Sequence, residues 1–290
     1  MNLCNPNEIK QLLARHGFRF SKSMGQNFLI EDWVPTEIAN QSGATTNHAM
    51  LEIGAGIGVL TQELAQRAGK VVSVELDRTL LPILAETLVE HENIEVITGD
   101  ILKQNLDELV DEHFEGLTPL VCANLPYNIT SPVLGLLIES GRFEKITVMI
   151  QKEVAERICA KAGDSDYGAF SVYCQYHCHT ELLFEVPPTC FMPAPKVTSA
   201  VISLTPRHKP SEVDDPKHFF KVVKGGFAQR RKTLQNSLSS TMSQYSKEVV
   251  AEAIIACGLP ADVRGQRLTI ENFAMLSKIL REKESSHETN

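Results

Sequence analysis

An α/β fold is predicted, built on a mixed seven-stranded sheet and followed by a small all-α region. Two observations carry that expectation. Between residues 50 and 150 short apolar runs alternate with helical patterns, the rhythm of βα units and a mostly parallel sheet. From His218 onward only helical periodicity remains, after a polar, proline-rich stretch over residues 205–216.

Taken in order, residues 6–17 read as a helix, with Ile9, Leu12, Leu13 and His16 on one face and Gly17 as its stop. Residues 18–29 show no period and mix Phe18, Phe20 and Phe28 with Arg19 and Lys22. That mixture suits a nucleic-acid contact or a lid over a ligand; the bland alternative is an arm that packs Phe28 and Leu29 on the core. A helix over 31–42 ends at Gly43. Strands follow at 50–53, 71–74, 94–97, 119–123 and 146–150, with helices over 59–68, from Ser131 as N-cap with Pro132 behind it, and over 151–157. Residues 164–168 form a loop, and residues 170–186 alternate as a long strand. After Pro187-Pro188 comes a stiff loop, Phe191-Met192-Pro193-Ala194-Pro195-Lys196-Val197, and a last strand to Leu204. Four helices then span roughly 217–228, 231–242, 247–257 and 269–282. The domain boundaries expected are 1–207, with a basic arm at 1–30, a linker at 208–216, a helical domain at 217–282 and a polar tail at 283–290 that frays.

The chemistry concentrates where strands end. The first strand runs into Gly54-Ala55-Gly56-Ile57-Gly58, where glycine lets backbone approach a ligand. The spacing is G-x-G-x-G, not the G-x-G-x-x-G of dinucleotide sites. The second strand ends in Glu75, 21 positions after Gly54, placed to accept both hydroxyls of a ribose. The third leads to Asp100, which can accept from an adenine amine of a cofactor. The fourth ends in Asn124-Leu125-Pro126-Tyr127. An exocyclic adenine amine is a poor nucleophile because its lone pair is delocalised into the ring. Two acceptors, the Asn124 side chain and the Leu125 carbonyl, would hold its two hydrogens and free that pair, with no general base required. Pro126 stiffens the turn, Tyr127 offers a ring for stacking, and Phe191 is a candidate second wall, or equally a core anchor between prolines. Each element alone is weak, and a strand-to-turn junction ended by proline would explain the four residues by themselves. Four strand ends in succession, each with the fitting residue, point to a Rossmann-like sheet holding S-adenosylmethionine, whose sulfonium is already activated for transfer.

Composition bounds the rest. With 43% hydrophobic residues there is ample material for a core, and no apolar run approaches membrane-spanning length. The first ten residues lack the pattern of a signal peptide. Seven cysteines without a C-x-x-C pair argue against a disulfide framework and for a reducing cytoplasm. No metal is expected. Cys174, His177, Cys178 and His179 invite a zinc reading, but on a strand the two thiols would stand about 13 Å apart at roughly 3.3 Å per residue, too far to share one ion. The net charge is −8, yet residues 9–30 and 216–245 hold ten basic residues and no acid, which leaves −18 on the remainder. A basic face on an acidic body is a footprint for phosphate; singly, each window reads as a solvated helix face.

The chain resembles the ribosomal RNA adenine dimethyltransferase family, and within it the bacterial small-subunit enzymes, over nearly its whole length. The carriers are Gly25-Gln26-Asn27-Phe28-Leu29, Glu52-Ile53-Gly54-Ala55-Gly56-Ile57-Gly58, Asn124-Leu125-Pro126-Tyr127, Phe191 with Pro193 and Pro195-Lys196-Val197, and Phe227-Ala228-Gln229-Arg230-Arg231-Lys232-Thr233. The resemblance implies that Asn27, Leu29, Gly54, Glu75, Asp100 and Asn124 contact S-adenosylmethionine. It implies that Asn124, Leu125, Tyr127 and Phe191 hold a flipped adenine. Two adjacent adenosines near the 3′ end of small-subunit rRNA would each receive two methyl groups at N6, within an immature small subunit. Arg19, Lys22, Arg230, Arg231 and Lys232 are the candidate RNA contacts. The loop departs from relatives only at Ser21-Lys22-Ser23-Met24, where another basic residue and a leucine are frequent. Two rivals share the fold. One is the large-subunit methyltransferase of macrolide resistance, which commonly carries isoleucine where Leu125 stands. The other is a non-catalytic assembly factor, which would have no reason to keep the amine-holding residues. Nothing in the sequence demands a dimer, and a monomer is expected.

Overall fold

The computed structural model describes residues 1–20, 25–207 and 213–288. In chain order the first elements are α1 (Pro6–Arg15), β1 (Phe28–Leu29), α2 (Trp33–Ser42), β2 (His48–Ile53), α3 (Val59–Ala65), β3 (Lys70–Glu75), α4 (Leu81–Thr87) and β4 (Ile94–Thr98). Then come α5 (Leu106–His113), β5 (Thr118–Asn124), α6 (Thr130–Ser140), β6 (Lys145–Gln151), α7 (Lys152–Cys159), α8 (Ala169–His177), β7 (Cys178–Val186), β8 (Phe191–Met192) and β9 (Ser199–Pro206). The last are α9 (Pro216–Ala228), α10 (Leu234–Thr241), α11 (Lys247–Ala256) and α12 (Ile270–Glu288). They fall into two compact units, residues 1–155 with 179–206, and residues 156–178 with 207–290.

The first unit holds a seven-stranded sheet in the order β4-β3-β2-β5-β6-β9-β7. β2 pairs in parallel with both β3 and β5, Leu51 standing opposite Val72 on one side and Val121 on the other. The strand order therefore turns back at β2, and a crevice opens beyond the carboxyl ends of β2, β3 and β5. β9 closes antiparallel on β6, with Met149 opposite Val201. β2 and β3 are buried at every position but the first, as strands covered by helices on both faces should be. Met50, Val71, Leu120, Cys122 and Met149 pack there with Ile9, Leu12, Val34, Ile38 and Leu64. Each such side chain contributes roughly 1.5–3 kcal/mol by leaving water. A separate two-stranded sheet pairs β1 with β8, Phe28 opposite Met192 and Leu29 opposite Phe191.

The second unit is helical, with Tyr167, Tyr176, Phe219, Leu234, Leu238, Phe273 and Leu276 in its core. α9 starts on Asp215, whose carboxylate accepts from the His218 N–H at 3.0 Å, with Pro216 at the first helical position. The His218 ring is buried and spans Ser277 (Nδ1···Oγ 2.7 Å) and Tyr245 (Nε2···OH 2.9 Å). Tyr245 donates to Glu284 at 2.8 Å. Its oxygen must then accept from Nε2–H, which leaves Nδ1 to accept from Ser277.

Three expectations are corrected. The long strand at 170–186 is α8 followed by β7. Gly168 opens the helix, with its N–H donating to Ser171 Oγ at 3.0 Å, and Gln175 ties it to the carbonyls of Ile158 and Ala160 at 2.8 and 2.7 Å. Residues 156–178 accordingly cluster with the C-terminal helices and not with the sheet. The strand geometry invoked against zinc thus fails for Cys174, which lies on α8; among the described residues, no group of three or more His, Cys, Asp or Glu could hold a metal. α6 starts at Thr130, before the Ser131 cap read from sequence. Ile129 N–H and Thr130 Oγ1 both donate to the Pro126 carbonyl, at 3.2 and 3.3 Å, and Pro132 falls within a first turn whose N–H groups need no helical partner. α12 runs from Ile270 to Glu288. Lys283 pairs with Glu252 at 2.7 Å, and Tyr245 holds Glu284.

Candidate active site

At the end of β2 the chain turns through Gly54, with φ +79°, and the Gly54 N–H donates to the Val74 carbonyl at 2.9 Å. A side chain there would be strained, so bare backbone faces the crevice. β3 ends in Glu75, only 5% exposed. Its two oxygens accept from the Gly56 N–H at 3.1 Å and the Asp77 N–H at 2.8 Å, which fixes the carboxylate at the crevice wall. Burial raises its pKa, and those two hydrogen bonds oppose the rise. Burial also works to raise Asp77, but hydrogen bonds from Thr79 and from Gln26, the latter at 2.6 Å, prevail and lower it. β4 gives way to Gly99, whose N–H donates to the Glu75 carbonyl at 2.9 Å. Asp100 follows and accepts from the Leu102 N–H at 3.1 Å.

β5 delivers the motif. Asn124 is its last residue, opposite Met149 of β6. Among the described residues no group hydrogen-bonds to the Asn124 side chain. The Leu125 N–H donates to the Met149 carbonyl at 3.1 Å, and the Leu125 side chain is buried. Tyr127 is half-buried, and its hydroxyl lies 2.7 Å from Ser199 Oγ. Either hydroxyl can donate to the other; burial raises the Tyr127 pKa, and the hydrogen bond with Ser199 opposes the rise. On the other side, Asn27 Nδ2 donates to the Gly25 carbonyl at 3.0 Å, and Leu29 and Phe191 face each other across β1 and β8. Phe191 is 3% exposed, so it serves the core as well as the wall.

One crevice is lined by all ten residues expected at a cofactor or catalytic position: Asn27, Leu29, Gly54, Glu75, Asp100, Asn124, Leu125, Pro126, Tyr127 and Phe191. Sequence reasoning gave no site role to Glu52 or Gln26, named only within motifs, and did not single out Asp77 or Ser199. Glu52 had a signal, an acid inside an otherwise apolar strand; Ser199 had none, since it meets Tyr127 from 72 residues away. The Glu52 carboxyl is 1% exposed, accepts from Thr61 Oγ1 at 2.7 Å, and is pushed by burial up to about 7. Among the described residues, the candidate RNA contacts Arg19, Arg230, Arg231 and Lys232 do not line this crevice. Arg19, Arg231 and Lys232 are exposed, and Lys22 lies outside the described residues. Arg230 donates to the carbonyls of Ser165 and Tyr167, the second at 3.2 Å, and so braces the loop before α8.

The charge of the lining decides what fits. Glu52, Glu75, Asp77 and Asp100 line the crevice, and among the described residues that line it there is no Lys, Arg or His. These acids would repel the pyrophosphate of a dinucleotide and attract a nucleoside carrying a positive tail. Glu75 offers fixed acceptors for ribose hydroxyls, Asp100 one for an exocyclic amine, and the glycine turn close backbone approach. These residues fit S-adenosylmethionine.

Comparison with known proteins agrees. The profile of the ribosomal RNA adenine dimethylase family matches residues 17–282. A protein of Alkaliphilus metalliredigens (strain QYMF) named ribosomal RNA small subunit methyltransferase A is 45% identical over 278 residues, 95% of this chain and 97% of that one. Among solved structures, a dimethyladenosine transferase from Plasmodium falciparum superposes with a TM-score of 0.75 at 23% identity, over 88% of this chain and 98% of that one. The 23S rRNA methyltransferase ErmE superposes with a TM-score of 0.68 at 27% identity, over 88% of this chain and 100% of that one.

Proposed function

The chain belongs to the ribosomal RNA adenine dimethylase family, and from that premise we propose that it transfers methyl groups from S-adenosylmethionine to N6 of two adjacent adenosines near the 3′ end of small-subunit (16S) rRNA, dimethylating each. It acts as a monomer in the cytoplasm, on an immature small subunit. The observation that carries this reading is the placement of Asn124-Leu125-Pro126-Tyr127 at the end of β5, in the same crevice as Glu75 and Asp100.

Glu75 takes the ribose hydroxyls and Asp100 the adenine amine of the cofactor, with Asn27, Leu29 and Gly54 completing that half of the crevice. When bound, S-adenosylmethionine would supply an electrophilic methyl group to N6, sulfur keeping the electron pair of the C–S bond and the displaced N6 proton passing to solvent. Asn124 Oδ1 and the Leu125 carbonyl accept the two N6 hydrogens and turn the lone pair out of conjugation. Tyr127 and Phe191 flank the target base after its extrusion from the RNA. Alignment of nitrogen and methyl does most of the catalytic work. Arg19, Lys22, Arg231 and Lys232 supply salt-dependent contacts to phosphate, while Arg230 braces the loop before α8.

The large-subunit reading is less well supported, since the relative at 45% identity carries a small-subunit name and ErmE stands at 27%. An assembly factor without catalysis would leave the retained Asn124, Tyr127, Glu75 and Asp100 without purpose. The test is Asn124→Ala. Methylation of small subunits is expected to fall below one hundredth of wild type, roughly the loss of a buried hydrogen-bond partner in the transition state, with subunit binding retained. Loss of both together would make Asn124 a structural residue.

A further inference from the structure

We infer that Ser199 is a positioning residue that fixes the plane of the Tyr127 ring, and that this tether governs the second methyl transfer to each adenosine more than the first. The inference rests on the reading of Tyr127 as a wall for the target base.

Tyr127 is held at both ends. Its backbone follows the end of β5: the Leu125 N–H is fixed to Met149 of β6, and the Tyr127 carbonyl accepts from Thr130 Oγ1 at 3.4 Å. Its hydroxyl lies 2.7 Å from Ser199 Oγ. Ser199 is the first residue of β9, fully buried, and paired with Gln151 at the end of β6. The tyrosine thus reaches over β6 to the next strand, held at its base by β6 and α6 and at its hydroxyl by β9. A ring tied at its base and at its hydroxyl keeps one plane. A ring tied only at its base is free to swing about χ1 and to tilt.

The consequence follows from counting hydrogens on N6. The unmodified amine has two, and two acceptors await them, Asn124 Oδ1 and the Leu125 carbonyl. After the first transfer one N–H has been replaced by N–CH3, so one acceptor loses its partner. The monomethylated base is then oriented by one hydrogen bond and by stacking alone. Each transfer forms one N–C bond, breaks one C–S bond and releases one proton from N6; only the second relies on the ring plane to point the lone pair.

The test is quantitative nucleoside analysis after reaction with small subunits that lack the modification. Wild type should give dimethyladenosine with little monomethyladenosine. Ser199→Ala should accumulate monomethyladenosine, with the ratio of second to first transfer rate lowered about tenfold, the scale of one buried hydrogen bond. Affinity for S-adenosylhomocysteine, measured by calorimetry, should not change. Tyr127→Phe removes the same hydrogen bond without touching β9 and should reproduce that ratio, and the double variant should be no worse than either single one. Wild-type product ratios in both single variants would overturn the tether. So would multiplied effects in the double variant, or equal slowing of both transfers with weakened S-adenosylhomocysteine binding, which would mark Ser199 as merely structural. Tyr127→Ala separates the two levels. If it abolishes transfer while Ser199→Ala and Tyr127→Phe are silent, only the tether fails. If Tyr127→Ala still dimethylates, the stacking role fails with it.

Discussion

Glu52 sits inside β2 with its carboxyl buried beneath the glycine turn. Its usual pKa of 4.5 is raised to about 7, first by burial and also by the Glu75 charge, while the hydrogen bond from Thr61 opposes the rise. Because the folded value exceeds the unfolded one, the fold bears no penalty while Glu52 is protonated, below about pH 4.5. The penalty grows as pH rises to about 7 and is constant above it. Glu52→Gln keeps the shape and removes the charge. Denaturant unfolding at a series of pH values should show wild type losing on the order of 3 kcal/mol relative to the variant between those limits. Parallel curves would mean that Glu52 does not ionise there. At this scale the strand-end acids were legible, because Glu75 and Asp100 each stand where an apolar run stops. Ser199 was not, because nothing near it in sequence marks a hydroxyl partner.

Element by element, the parallel strands were legible because each is an apolar run bounded by polar or glycine residues. β1 and β8, two residues each, are too short to leave a period. α8 was misread because its apolar residues satisfy alternation as well as a helical face. The choice is made by partners distant in sequence: Tyr176 packs against Phe219 at 5.2 Å between ring centroids, and Gln175 bonds back to Ile158 and Ala160. α5 carried a readable start, since Asn105 accepts from the N–H groups of Asp107 and Glu108, yet it was not proposed. Packing of α9 makes its own demand. A Cβ on Gly265 would stand 2.3 Å from the Gly226 carbonyl oxygen of α9, backbone that cannot yield without moving the helix. Gly265→Ala should therefore lower stability by about 2 kcal/mol or more, read by thermal unfolding. A variant as stable as wild type would show that α9 has room to shift.

For the whole molecule, charge and fold answer different questions. A chain of net charge −8 gathers acids in its cofactor crevice and leaves Arg19, Arg231 and Lys232 exposed in segments that hold no acid. Reversing Arg231 and Lys232 to Glu should weaken rRNA binding and flatten its dependence on log salt by about two, with S-adenosylhomocysteine affinity unchanged. An unaltered salt slope would remove these residues from the RNA contact. The identity of the methylated nucleoside is the most direct readout of what this protein does. Labelled S-adenosylmethionine should be offered in parallel to small and large ribosomal subunits lacking the modification, and the product nucleosides separated. Dimethyladenosine in small-subunit RNA alone is the predicted result; label in large-subunit RNA, or none in either while the protein still binds, would contradict it.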